Sequence, residues 1–259
     1  MKKTIFSLAL GTFGLGMAEF GIMGVLPDMA HDVGISIPAA GNMIAWYAFG
    51  VVIGALWCLC GALPLPGFAR AAVFCLMPVW VTGGIHLDGY ADTCDALSSY
   101  GDTAKKLEIL KDPHCGAFAV IYGGVYLLAY AGFAYEVFAA GHILLICPLF
   151  VLSRALSGLC AVNLPNARRS GMLCAFTSGV QRRRATVALT LVGLAAAAGM
   201  VWMSPTAGGM AAAFVVVSVL KYRRFALAQF GGVTGDTSGF FLQLCELCGL
   251  IGVWIGGLL

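Results

Sequence analysis

The sequence predicts an all-α fold, a polytopic integral membrane helix bundle with about seven to eight apolar segments. Three observations predict it. Charge is scarce: 15 Lys and Arg plus 12 Asp and Glu make up 10% of 259 residues, against roughly 25% in a soluble domain. Sixty per cent of the chain is hydrophobic and its mean hydropathy is +0.92. Glycine occurs 35 times, and small residues let membrane helices approach closely. This composition excludes a water-soluble globular enzyme and a disordered chain. The net charge of +3 is too small and too scattered for nucleic acid. The expected surroundings are a lipid bilayer.

Apolar runs long enough to cross or nearly cross a bilayer lie at 5–27, 43–63, 71–85, 117–135, 141–164, 185–203, 206–220 and 240–259. The 71–85 and 206–220 runs are short, which suits a tilted or re-entrant path. Polar segments at 86–116, 165–184 and 221–239 interrupt the bundle. They hold Lys105, Lys106, Lys111, Arg168, Arg169, Arg182, Arg183, Arg184, Lys221, Arg223 and Arg224, which is 11 of the 15 basic residues. Two apolar runs separate each consecutive pair, so parity puts all three on one face. The opposite connections, 136–140 and 204–205, hold no Lys or Arg. The positive-inside rule makes the basic face cytoplasmic. The same parity would leave Lys2 and Lys3 outside if 5–27 spans, so the first segment conflicts with the rest. A cleaved signal peptide does not fit it, because the run is too long and contains Glu19.

The ten cysteines fall mostly in apolar runs and read as small reduced thiols. Cys245-x-x-Cys248 has the spacing of a redox or metal pair, but it sits in an apolar run with no second pair and no nearby histidine. It is read as packing.

The chemistry is expected in His86-Leu-Asp88-Gly-Tyr-Ala-Asp92-Thr-Cys-Asp95. On a helix, offsets of 0, 4 and 7 fall on one face, so Asp88, Asp92 and Asp95 form a carboxylate stripe. Three such charges repel unless a cation sits among them, and Mg2+ is the natural hard occupant. The plain alternative is a solvated helix start favoured by the dipole. Lys111 and Asp112 abut the next apolar run, and Lys111 can neutralise phosphate as a point charge. The stretch Gly231-Gly232-Val-Thr234-Gly235-Asp236 is a second candidate. Its backbone N–H groups before a helix can make an anion nest, and Asp236 is its lone acid, a further metal ligand or base. Besides Glu19, two charges lie inside apolar runs. Arg154 either binds phosphate or pairs with a carboxylate, and Glu246 is placed to face the polar centre. His86 is a candidate base or substrate contact, or a satisfied hydrogen-bond partner. His31 and His142 receive no functional reading.

These motifs resemble the signature of the cobalamin synthase family of adenosylcobinamide-GDP ribazoletransferases. The carrying residues are Gly83-Gly-Ile-His86-Leu-Asp88-Gly-Tyr-Ala-Asp92-Thr-Cys-Asp95-Ala96, Lys106-Leu-Glu108-Ile-Leu-Lys111-Asp112, Gly116-Ala-Phe118, Ser153-Arg154-Ala-Leu-Ser157-Gly158 and Gly231-Gly-Val-Thr234-Gly235-Asp236. The resemblance covers about residues 45–259. It implies a Mg2+-dependent enzyme in which a ribose hydroxyl of alpha-ribazole, or of its 5'-phosphate, attacks the cobinamide-side phosphorus of adenosylcobinamide-GDP and GMP leaves. It implies a multi-pass protein of the bacterial cytoplasmic membrane with its site facing the cytoplasm. On that reading Asp88, Asp92, Asp95 and Asp236 hold metal. Asp88, Asp92, Asp236 and His86 serve catalysis. Lys111, Asp112, Arg154, Gly231, Gly232, Thr234, Gly235 and Glu246 bind substrate.

The family's usual opening, a Thr-Arg or Lys-Ile-Pro-Val-Pro-like stretch, is absent. Residues 1–55 instead resemble the first helix and part of the second of a major facilitator superfamily sugar-efflux or drug-proton transporter, carried by Leu8-Ala-Leu-Gly11-Thr-Phe-Gly14-Leu-Gly16-Met-Ala-Glu19-Phe-Gly-Ile-Met-Gly24-Val-Leu-Pro27 and by Gly41 to Ala55. A hybrid chain is expected, with 1–42 foreign to a catalytic domain at 43–259. Three other readings stand beside the transferase: a catalytically impaired hybrid, a transporter fragment, and another membrane phosphotransferase of the CDP-alcohol type. That last type carries Asp-Gly-x-x-Ala-Arg, which Asp88-Gly-Tyr-Ala-Asp92 does not continue.

Overall fold

The computed structural model describes residues 65–168, 172–177 and 180–259. The expected runs 5–27 and 43–63, the 1–42 segment with its boundary, and Lys2, Lys3 and Arg169 lie outside the described residues. The chain divides into two compact units, Met1–Ile85 and His86–Leu259. In the first, α1 (Gly67–Thr82) follows Pro66 and ends on Gly83 in the left-handed region.

The second unit holds the bundle. Helix α2 runs Ile85–Ser98 and α3 runs Thr103–Ile109, with the Asp102 side chain accepting from the Lys105 N–H at 2.8 Å as its cap. Helix α4 (Ala117–Ala139) leads through a 3-10 turn (Ile143–Leu145) into α5 (Ile146–Asn163). Short α6 (Met172–Thr177) precedes α7 (Arg182–Met203). Ser204 caps and Pro205 opens α8 (Pro205–Phe230), because proline is pre-organised for a first helical position. A Thr234–Thr237 capping box starts α9 (Gly235–Gly257). Every described element longer than a bridge is helical, as expected of the fold class.

Helix α9 is the axis. It packs along α8 and against α4 and α5, while α7 packs on α5 and α8. Small residues set the spacing: a Cβ on Gly252 would lie 2.6 Å from the Ala211 Cα, and one on Gly256 would lie 2.6 Å from the Ala207 Cα. Met200, Val215, Phe230, Phe241 and Leu250 are buried between the helices. The outer faces are apolar too: Val120, Leu128, Leu191 and Leu194 are more than half exposed. Outward apolar side chains of this kind suit lipid rather than water.

Two of the expected apolar runs lie outside the described residues, and not all of the other six qualify as membrane spans. Among the described residues, four helices are long and apolar enough to cross a membrane: Ala117–Ala139, Ile143–Asn163, Arg182–Met203 and Gly235–Gly257. Most of the 71–85 run lies in α1, a helix of 16 residues that ends at Thr82, about one turn short of a span alone. The 206–220 run is the first half of α8, whose second half carries Lys221, Arg223 and Arg224.

One end of the second unit collects all three polar segments. The Lys106 ammonium donates to Gln229 Oε1 at 2.5 Å, and Arg168 Nη2 donates to the Leu107 carbonyl at 3.4 Å. The Val233 N–H donates to the Pro165 carbonyl and the Ala167 N–H to the Val233 carbonyl, both at 2.9 Å. Each polar segment is therefore bonded to the other two, which is the common face that parity predicts.

Candidate functional site

Helix α2 crosses the start of α9 at glycines. A Cβ on Gly89 would lie 2.8 Å from both the Cα and the carbonyl oxygen of Asp236, and one on Gly239 would lie 2.9 Å from the His86 carbonyl. Only bare backbone permits this approach. The crossing sets Asp88 and Asp92 beside Asp236. Tyr90, on the next face of α2, stacks on Phe240 with ring centroids 5.4 Å apart, which fixes the register.

The Asp236 end is held from the other side. Gly231 terminates α8 at φ 71°, in the left-handed conformation that glycine adopts freely. Gly232 presses its backbone on Pro165, and residues Asn166 and Val233 form a parallel bridge. The Thr234 hydroxyl accepts from the Thr237 N–H at 3.1 Å, and the Thr237 hydroxyl accepts from the Thr234 N–H at 2.8 Å. Gly231, Gly232 and Thr234 thus build the turn that aims Asp236. Gly235 is exposed as the first residue of α9.

The electrostatics follow from the crowding. Asp92 is pushed up to about 6, first by burial and then by the charges of Asp88, Asp236 and Asp95, with Arg168 pulling the other way. Arg168 Nη1 lies 3.2 Å from Asp236 Oδ2. Asp95 has a different employment. Its Oδ2 accepts from the Gly116 N–H at 2.7 Å and its Oδ1 from the Ala119 N–H at 2.8 Å. It caps α4 from outside, and a Cβ on Gly116 would lie 2.6 Å from either oxygen. The stripe is real, but its third member is engaged by the backbone.

Other expected residues lie apart from this cluster. Lys111 is exposed just past α3. Asp112 is exposed and accepts from the His114 N–H at 3.0 Å, with the His114 ring nitrogen 2.7 Å away. These contacts hold its carboxyl below the ordinary value. Within the bundle Arg154 is bonded to Glu246 and, at 2.9 Å, to Ser153, with its guanidinium over the Phe150 ring. Glu246 is 2% exposed and also accepts from Ser153. Of the two readings open for Arg154, the observed contact is the carboxylate pair. Gln243, one turn earlier on α9, accepts from the Tyr126 hydroxyl. Cys245 and Cys248 are both free thiols.

Sequence reasoning passed over Arg168, because it was absorbed in the count of bases on one face. A single signal pointed to it: it stands at the α5 exit, opposite the glycine turn that carries Asp236. Gly116, whose N–H meets Asp95, is signalled only by the family resemblance, and Asn166, which bridges to Val233, leaves no sequence signal.

The donor set is hard oxygen throughout, crowded enough to raise Asp92, and Asp236 Oδ2 is a buried atom with no hydrogen bond. Among the described residues no three His, Cys, Asp or Glu side chains already form a closed metal cage. Mg2+ is usually bound by one or two carboxylates together with substrate phosphates and water, and these residues fit that mode.

A family described as Cobalamin-5-phosphate synthase matches residues 18–254. The adenosylcobinamide-GDP ribazoletransferase of Lachnoclostridium phytofermentans is 40% identical over 204 residues, covering 76% of this chain and 77% of the relative. The protein of the same name from Stutzerimonas stutzeri is 35% identical over 218 residues, covering 82% of this chain and 86% of the relative. A different protein, the putative transporter AraJ of Escherichia coli K12, is 80% identical over 55 residues, 21% of this chain and 14% of its own length. No solved structure matches.

Proposed function

This chain belongs to the cobalamin-5-phosphate synthase family, and we propose that it joins adenosylcobinamide-GDP to alpha-ribazole, or its 5'-phosphate, with release of GMP. The observation that supports the reading is the Gly89–Asp236 crossing, which concentrates carboxylates where the three polar segments meet. We place the protein in the bacterial cytoplasmic membrane with this end facing the cytoplasm, as the basic face requires.

Asp88, Asp92 and Asp236 would hold Mg2+, which when bound supplies charge neutralisation for a pyrophosphate. The chain's own part is positional. The α2–α9 crossing fixes the carboxylates before substrate arrives, so little reorganisation accompanies reaction. A ribose oxygen forms a bond to the cobinamide-side phosphorus as the bond to the GMP oxygen breaks. The hydroxyl proton passes to a carboxylate of the cluster, Asp236 first; His86, the other expected acceptor, is a poor base, because burial and then the Arg154 charge push its ring down to about 3. Lys111 is free to meet a phosphate oxygen from solvent. Arg154 and Glu246 hold α5 to α9 beneath the site.

The test uses membranes carrying the full chain with adenosylcobinamide-GDP, alpha-ribazole and Mg2+, assayed for GMP. Release by the wild type, lost in Asp88→Ala and Asp92→Ala while both proteins still insert, is expected. The 55 residues similar to a transporter favour one second reading, a catalytically impaired hybrid. Correct insertion without GMP would select it.

A further inference from the structure

We propose that Arg168 is the built-in counter-cation of the acidic site, and that its guanidinium passes from Asp236 to the substrate's pyrophosphate when metal and nucleotide bind together. The inference rests on the transferase reading above for its second half; the first half stands on the geometry.

Four observations converge. Arg168 Nη1 stands 3.2 Å from Asp236 Oδ2, close enough to neutralise it, yet that oxygen has no hydrogen bond. The contact is charge against charge, without the paired geometry an Arg–carboxylate fork normally adopts. Second, the guanidinium is under-used. Among the described residues, Arg168 Nε is a buried atom without an acceptor, and the side chain makes one hydrogen bond, the long one to the Leu107 carbonyl. A guanidinium offers five donors in a planar fork that matches phosphate, so most of its capacity is unspent. Third, the backbone that carries it is not free to leave. The two 2.9 Å bonds between Pro165, Ala167 and Val233 tie its loop to the turn that aims Asp236. Fourth, Arg168 and Asp236 keep only 23% and 27% of their side-chain surface exposed, so the pair sits at the wall of the site.

A cation lodged on Asp236 competes with a metal for that carboxylate. A metal taking up that carboxylate would free the guanidinium, and a phosphate bound with the metal would offer it a new partner. Arg168 thus discourages metal from settling without nucleotide and rewards their joint arrival.

The experiment uses the full chain in detergent or nanodiscs, with Mn2+ as the probe and alpha-ribazole withheld so that nothing turns over. Mn2+ binding is read by electron paramagnetic resonance, and adenosylcobinamide-GDP binding with Mn2+ present by equilibrium dialysis. Arg168→Gln is expected to bind Mn2+ alone about tenfold more tightly and the nucleotide about tenfold more weakly. Arg168→Lys keeps the charge without the fork. It is expected to hold wild-type Mn2+ affinity and still lose nucleotide affinity, and it carries the test if the Gln variant does not fold. Unchanged or weaker Mn2+ binding in Arg168→Gln, or unchanged Mn2+ and nucleotide binding in both variants, overturns the proposal. A wild type that binds Mn2+ but not adenosylcobinamide-GDP overturns the substrate reading instead, and the Mn2+ result then decides the counter-cation role by itself.

Discussion

Asp92 carries the tension of the site. Its carboxyl is pushed from 3.8 to about 6, so the folded protein holds that proton more tightly than the unfolded chain does. The sign follows from linkage. The stabilising contribution is full below about pH 4 and is lost as pH rises through about 6. In metal-free protein, Asp92→Asn should therefore gain thermal stability relative to wild type between about pH 5 and 7.5, read from paired melting curves. Asp95 predicts the opposite behaviour on mutation. Removing an external cap costs about 1–2 kcal/mol, so Asp95→Ala should melt lower, and Asp95→Asn should recover part of the loss because an amide oxygen still accepts. At this scale the acidic residues were legible, since a 0, 4, 7 spacing is visible in any helix. The employment of Asp95 was not, because the N–H groups it meets lie 21 and 24 positions away. Arg154 with Glu246 was half legible. Each charge stood out in its apolar run, but the partner across 92 positions is a fact of packing.

Between helices, glycine decides what the carboxylates can reach. Gly89→Ala introduces a Cβ where the Asp236 backbone already stands at 2.8 Å, so α2 must withdraw from α9. The expected result is unchanged helix content by circular dichroism with GMP release down at least about tenfold, since a misplacement of order 1 Å can cost that much or more. The apolar runs were legible because their length and composition are set by the bilayer. Helix ends were less so. Helix α8 runs ten residues past its expected apolar limit at 220, through Lys221, Arg223 and Arg224 to Phe230, because an exposed charge does not stop a helix that a capping glycine has yet to end. The Arg154–Glu246 pair belongs here as well. Glu246→Ala strands a cation between α5 and α9, and should lower stability by roughly 3 kcal/mol or more, seen as an earlier melting transition.

Across the whole molecule, orientation is the property to test. Parity and charge predict that the polar end of the bundle faces the cytoplasm, and the mutual bonding of segments 86–116, 165–184 and 221–239 agrees with a common end. Cys115 is exposed in the first of these segments. A membrane-impermeant thiol reagent should label it in inverted vesicles and not in right-side-out ones, with Cys115→Ser removing the signal. Helix membership and shared face were thus readable from composition. The joining of three segments into one surface was not, because it is made of backbone contacts that any residue can supply. The bridge between Asn166 and Val233 is the plainest of these. Its two amide protons, on Ala167 and Val233, lie in connecting loops at a water-facing end, where exchange with deuterated solvent is normally fast. Their bonds at 2.9 Å should slow that exchange well below the rate of the surrounding turns. Two slow protons in a fast region would give a spectroscopic gauge of whether the site is assembled, readable with no substrate in the tube.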